Sequence, residues 1–263
     1  MTLSGPLTLA ILFATHALGG AAAFGSTLLA LPLLLLAGWD LRPAVALLLL
    51  VGTAQSVSLA CLTWRGADRR ALGRILIAAG FGIPIGLLAA DLLPERALGL
   101  LFGGLLIVAG ATRLLEHGSR RPWTPPPWVL RLLLVVGGII HGAFGSGGAT
   151  LIVYARFTLR EKDAFRGTLS IMWTALNLAV IAPLVWRGHV NQAVMSIGLA
   201  GIPAVLLATW VGHRWVAGMS QERFALLVAV LLCLAGALTL ARNVRAERST
   251  SSSCPSWTWN ANG

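Results

Sequence analysis

The sequence predicts an all-α polytopic membrane protein. About eight membrane segments form two homologous four-segment repeats, with segments 1 and 5 broken or re-entrant at glycine-rich motifs. Composition is the first observation behind this reading: 57% of residues are hydrophobic, 11% are charged and mean hydropathy is +0.81. Soluble domains carry about 25% charged residues, so a chain this poor in charge needs a bilayer for solvent. The second observation is duplication. Phe24-Gly25-Ser26 recurs as Phe144-Gly145-Ser146, Trp64-Arg65-Gly66 as Trp186-Arg187-Gly188, Gly82-Ile83-Pro84 as Gly201-Ile202-Pro203, and Glu95-Arg96 as Glu222-Arg223. The spacings are 120, 122, 119 and 127 residues, in one order, as a duplicated membrane unit requires. Third, one apolar run is too long for one straight crossing and a second is nearly so, and each holds a glycine cluster near its middle.

The segments follow from the length rule of about 20 apolar residues per crossing. They are expected at 6–38, 43–63, 72–92, 96–115, 129–157, 165–186, 192–216 and 222–242. The first repeat is residues 1–118 and the second 128–245. Between them, 119–127 is rich in proline and charge, which a membrane helix does not tolerate, so it reads as an interfacial linker. The polar, serine-rich stretch 246–263 reads as a disordered tail. The N-terminus lacks the basic flank of a signal peptide, so the first apolar run is expected to stay in the mature protein.

The net charge of +11 would suggest nucleic acid in a soluble chain. Here the arginines sit in short loops between apolar runs, the pattern that orients membrane proteins. With eight plain crossings the basic residues divide 12 against 8; with segments 1 and 5 entering and leaving on one side they divide 14 against 6. The positive-inside rule favours the second arrangement, which also inverts one repeat relative to the other. Cys61, Cys233 and Cys254 are scattered, without metal or disulfide spacing. No Walker, HExxH or GxSxG motif is present. The expectation is therefore no enzyme, no cofactor, no metal and no nucleic acid, with the lipid bilayer and a small anion as partners.

The glycine motifs are what point to an anion. All nine acidic residues fall at segment ends or in loops, which argues against a cation carrier. If the chain breaks at Gly25-Ser26-Thr27 and at Gly145-Ser146-Gly147-Gly148, a half-helix starts at each, with free N–H groups and a positive dipole end. Such ends bind anions, and the hydroxyls of Ser26, Thr27 and Ser146 add donors. The alternative is that these glycines only let helices pack closely. The second segment of each repeat carries a matched polar stripe: Gly52 and Gln55 correspond to Thr174 and Asn177, and Ser170, Thr174 and Asn177 share one helix face. That stripe either joins helices or lines a polar path. Arg166 either recruits an oxyanion or snorkels to the interface. His16 and His141, just before the glycine motifs, are candidates to pass a proton, or are simply bonded to nearby backbone.

These paired motifs resemble the TauE/SafE sulfite exporter family of membrane permeases. The matches are Gly19-Gly20-Ala21-Ala22-Ala23-Phe24-Gly25-Ser26-Thr27 leading into Leu31-Pro32, then Gly142-Ala143-Phe144-Gly145-Ser146-Gly147-Gly148, and Phe165-Arg166-Gly167-Thr168-Leu169-Ser170. Ser26 stands where the family often has glycine, and Tyr154 lies near where it usually has proline. The resemblance implies proton-driven transport of sulfite, organosulfonates or related anions in the bacterial inner membrane. The expected mechanism is alternating access between the repeats. The rival readings are a carrier or channel for another small solute, and a membrane scaffold.

Overall fold

The computed structural model describes residues 5–22, 26–118, 125–159, 161–216 and 221–251. It is all-helical among those residues: α1 (Gly5–Ala22), α2 (Ser26–Leu36), α3 (Leu41–Thr63) with a 3-10 turn at Trp64–Gly66, α4 (Arg69–Leu92), α5 (Glu95–Gly118), α6 (Pro127–Phe144), α7 (Gly148–Thr158), α8 (Lys162–Trp186), α9 (Gln192–Val216) and α10 (Gln221–Ser251). Seven of these are long and apolar enough to cross a membrane, rather than the eight segments expected. The difference lies in the two longest runs. The run expected at 6–38 holds two helices, α1 and α2, and that at 129–157 divides into α6 and α7 at Gly145–Gly147. Helices α2 and α7 have 11 residues each, a rise of about 16 Å, half the ~30 Å hydrocarbon core. At the C-terminus, α10 continues to Ser251, into the polar stretch expected as a tail.

Local chemistry sets several boundaries. Asp68 caps α4, its carboxylate accepting from the backbone N–H of Arg70 and Ala71. Pro127 occupies the first turn of α6, where a missing N–H is harmless. Gly145 ends α6 in the left-handed region at φ +63°, a conformation glycine adopts without a Cβ clash.

Small residues decide how the long helices pair. Gly138 and Gly142 of α6 press against Ala79 and Ile83 of α4, while Gly82 and Gly86 of α4 press against the α6 backbone at Val135 and Ile139. Both sets of contacts advance together, so α4 and α6 run parallel. Likewise Gly201 of α9 meets Leu9 and Leu12, and Gly212 meets Ala17, so α1 runs parallel to α9. Helices α5 and α10 pair antiparallel, with Gly99 on Asn243, Gly103 on Leu240 and Gly110 on Cys233. In lipid there is no hydrophobic drive between helices, so this close backbone approach supplies the attraction. Helix α7 doubles back along α6, bringing Thr150 and Leu151 onto Gly137.

Helices α3 and α8 cross at the centre. Thr63 and Ser170 hydroxyls lie 2.9 Å apart, and Thr174 donates to Ser56 at 3.1 Å. One end of the bundle carries Arg42, Asp91 and Arg187, joined by ion pairs. The opposite end brings Gly66 against Asp163 and Gly167 against Thr63 and Ala67. Outward-facing side chains are large and apolar, including Ile77, Phe81, Leu88, Val108 and Trp186. A surface of this kind suits acyl chains rather than water.

Candidate functional site

Two helix starts converge on one cavity of about 100 Å³. By the same measure a single water needs about 10–15 Å³, so the space suits a small solute with some hydration. Ser26 and Thr27, the first residues of α2, line one side; Gly145, Ser146 and Gly148, at the start of α7, line another. The central pair completes the wall, with Gly52, Gln55, Ser56 and Leu59 from α3 and Arg166, Leu169, Ser170, Trp173 and Asn177 from α8. Thr209 of α9 closes it.

Most residues singled out from sequence therefore come together: Ser26, Thr27, Gly145, Ser146, Gly148, Gln55, Asn177 and Arg166 share this one lining. Gly25 lies outside the described residues. Gly147 stands off the lining, because α7 folds back so tightly there that a Cβ would overlap the Gly137 carbonyl oxygen. Its role is to permit the turn. The matched stripe is physically one patch, since a Cβ on Gly52 would lie 3.5 Å from the Asn177 amide nitrogen.

The lining sets hydroxyls and amides among apolar side chains and carries a single charge. Arg166 is the only charged residue in it among the described residues. The first N–H groups of a helix lack intrahelical partners and carry its positive dipole end. Ser146 Oγ is buried with no hydrogen-bond partner among the described residues. A buried hydroxyl without a partner is costly, so a ligand acceptor at this position would satisfy it. The Gln55 side-chain amide donates to Thr209 Oγ1, which in turn donates to the Val205 carbonyl. That chain fixes the amide with its oxygen end turned from Thr209.

Neither histidine lines the cavity. His16 is fully buried, and its Nδ1–H donates to the Leu12 carbonyl at 2.8 Å, the backbone-bonded alternative. His141, 1% exposed, sits behind the α7 start. There the Gly147 N–H donates to its Nδ1 at 3.4 Å, and its ring centroid is 5.8 Å from that of Trp173, a lining residue. In the neutral form those partners put the proton of His16 on Nδ1 and that of His141 on Nε2. Both Nε2 atoms lack a partner among the described residues.

Sequence reasoning missed Thr209, Ser56 and Trp173. Thr209 is a lone hydroxyl on an apolar stretch of α9, and the residue 122 positions earlier is Leu87, so comparing the repeats hides it. Its signal is isolation: a single polar side chain amid Ala204–Val211 needs a partner inside the bundle.

The family described as sulfite exporter TauE/SafE matches residues 7–239. A probable sulfite/organosulfonate exporter TauE from Cupriavidus necator is 23% identical over 196 residues, covering 68% of this chain and 72% of that protein. No solved structure matches. With nearly its whole length matched and seven helices fit to span a bilayer, the chain belongs to the TauE/SafE sulfite exporter family and is a multi-pass protein of the bacterial inner membrane.

Proposed function

We propose that this protein exports a small sulfur oxyanion, sulfite or an organosulfonate, by alternating access between two inverted repeats coupled to the proton gradient. The observation that carries the reading is the cavity where both interrupted runs meet, with two helix starts and their hydroxyls facing one space. Anion binding at helix N-termini needs no full countercharge, which suits a lining with a single arginine.

Contacts across the bundle support the inversion. Every strong pairing has a counterpart under exchange of the halves: α4 on α6 mirrors α9 on α1, while α3·α8 and α5·α10 each map onto themselves. Thr8, near the start of α1, accepts a hydrogen bond from Trp39 just after α2, so both ends of that pair lie at the Arg42 end. Helix α6 runs parallel to α4, which starts at the opposite end, and α7 returns there to Leu159. Two re-entrant hairpins of opposite sense fit these contacts. They also fit the charge division, which assigns 14 basic residues to the Asp163 end and 6 to the other and so makes the Asp163 end cytoplasmic. The lining residues of α3 and α8 run from mid-helix toward that end, as loading from the cytoplasm requires. A dry bundle would have favoured the scaffold reading; a polar cavity favours transport.

Topology is directly measurable. In a chain with its three cysteines replaced, Arg65→Cys and Glu161→Cys should resist an impermeant thiol reagent applied outside intact cells, and Gln192→Cys should react. Glu161 is the exposed position on that loop, where Leu159 is buried. Reaction at Glu161→Cys but not Arg65→Cys would mean eight plain crossings.

The function is tested by reconstituting the protein in liposomes and following labelled sulfite, with taurine-type sulfonates and unrelated anions as competitors, with and without a pH gradient. Saturable, sulfonate-inhibited sulfite flux is expected, and its absence across the panel would overturn the reading. Arg166 is exposed at the cavity rim, so Arg166→Gln should raise apparent KM roughly two- to fivefold, the range of an exposed charge interaction, with a smaller change in maximal rate. In this reading His141, one contact behind the lining, passes the coupling proton, and His16 is structural. His141→Gln should then flatten the pH–rate profile. A profile unchanged in both His141→Gln and His16→Gln would remove histidine from coupling.

A further inference from the structure

Beyond the central cavity, the Arg42 end holds a charge cluster that the transport reading leaves unused. Asp91 at the end of α4 is bridged by two guanidinium groups, one from the start of α3 and one from just past α8. Arg42 Nη1 donates to Asp91 Oδ1 at 3.0 Å, and Arg187 Nη1 pairs with Oδ2. Arg42 is held in place by two further acceptors, the Ala90 carbonyl at 2.6 Å and His189 Nε2 at 3.2 Å. Partial burial, and then the Arg42 charge, hold His189 below its ordinary pKa, so its neutral ring accepts that bond.

We propose that Arg42 and Arg187 form an outer oxyanion subsite on the exit path, occupied and closed in this conformation by the Asp91 carboxylate. Three observations carry this. Each oxygen of Asp91 is bonded by a different arginine, the geometry with which two guanidinium groups clasp an oxyanion. A void of about 10 Å³ beneath the pair is lined by Val45, Gly142 and Ala143, and Val45 is also what a Cβ on Gly145 would meet, at 3.2 Å. The cluster therefore lies just past the α6–α7 break, on the side away from the central cavity. The repeated Trp-Arg-Gly motif supplies the third observation. Arg187 is latched to Asp91, whereas its equivalent at the other end, Arg65, lies over the ring of its own Trp64 at 5.5 Å. The motif's arginine is thus ion-paired at one end of the bundle and lies over its own tryptophan at the other.

The energetics permit exchange. The side chains of Asp91, Arg42 and Arg187 are 29%, 28% and 41% exposed. Ion pairs of that exposure are weak, so an anion delivered from the central site can displace the carboxylate, while the tethered Asp91, at its high effective concentration, holds the site at equilibrium. With two arginines against one carboxylate, the cluster keeps a positive charge that attracts the anion.

This proposal rests on the transport reading, and the test separates the two. Equilibrium binding of radiolabelled sulfite to the purified protein in lipid nanodiscs should give one site per chain. Asp91→Asn should give two, and Asp91→Asn with Arg187→Gln should return to one. An unchanged stoichiometry in Asp91→Asn would overturn the outer subsite. Absence of binding to the unaltered protein would instead count against the central site, while a gain in Asp91→Asn that Arg187→Gln removes would still support the outer one. Arg187→Gln alone, in oriented proteoliposomes, keeps the test open if Asp91→Asn does not fold. It should raise apparent KM for sulfite presented at the outer face roughly threefold or more, leaving the inner-face value unchanged. Equal shifts at both faces would overturn the proposal.

Discussion

Gly145→Leu is expected to abolish sulfite flux while the protein still inserts. Gly145 sits at φ +63°, where a side chain costs about 1–2 kcal/mol. A Cβ there would stand 3.2 Å from Val45 Cγ1 and 3.3 Å from Leu49 Cδ2, tighter than ordinary packing, and the rest of a leucine would wedge between the α6–α7 turn and α3. Both sides of that wedge carry lining residues, Ser146 and Gly148 on one and Gly52 and Gln55 on the other. Gly145→Ala should lower the rate less, since it adds the strain without the wedge. Flux assays on protein matched for membrane insertion decide this, and normal flux in Gly145→Leu would refute a site at the break. The duplication extends the expectation to Gly25→Leu, at a position outside the described residues.

The largest loss of stability should come from Gly86→Leu. A Cβ at Gly86 would overlap the Ile139 carbonyl oxygen and come within 2.9 Å of the Ala143 nitrogen. Those atoms are backbone, so α6 must move as a whole, and with it the α6–α7 turn. Overpacking costs about 1–3 kcal/mol and sometimes more. Here Gly82, Gly138 and Gly142 meet backbone in the same interface and leave no room for compensation. We expect a lower melting temperature in detergent and loss of monodisperse protein. Gly80, in the same helix, has open space around its Cβ position. Gly80→Ala should therefore be neutral or stabilising by up to about 1 kcal/mol. Equal behaviour of the two variants would contradict the interface described.

The contrast between Gly80 and Gly86 shows where reading a sequence stops. Both are glycines in one apolar helix, and nothing local distinguishes them. The difference lies in α6, some fifty residues onward, which passes one and not the other.

By itself, the sequence determined what depends on composition and on residues near each other along the chain. Low charge and long apolar runs dictated a membrane protein, because only a bilayer solvates such a surface. Mid-run glycines located the interruption at Gly145–Gly147, since helix propensity fails where Cβ atoms are missing. Duplication matched Gln55 with Asn177, and both line the central cavity. The tertiary structure decided what depends on faces meeting across distant segments. It put α1 against α9 and α4 against α6, carried Thr209 to Gln55, set His141 behind the wall and Gly147 inside the turn, and joined Asp91 to two arginines. The physical reason is that every helix here is apolar on nearly all sides. Apart from the polar stripe on α3 and α8, no amphipathic face marks an inner side, and partner choice falls to small-residue contacts and single hydrogen bonds that only the assembled bundle reveals.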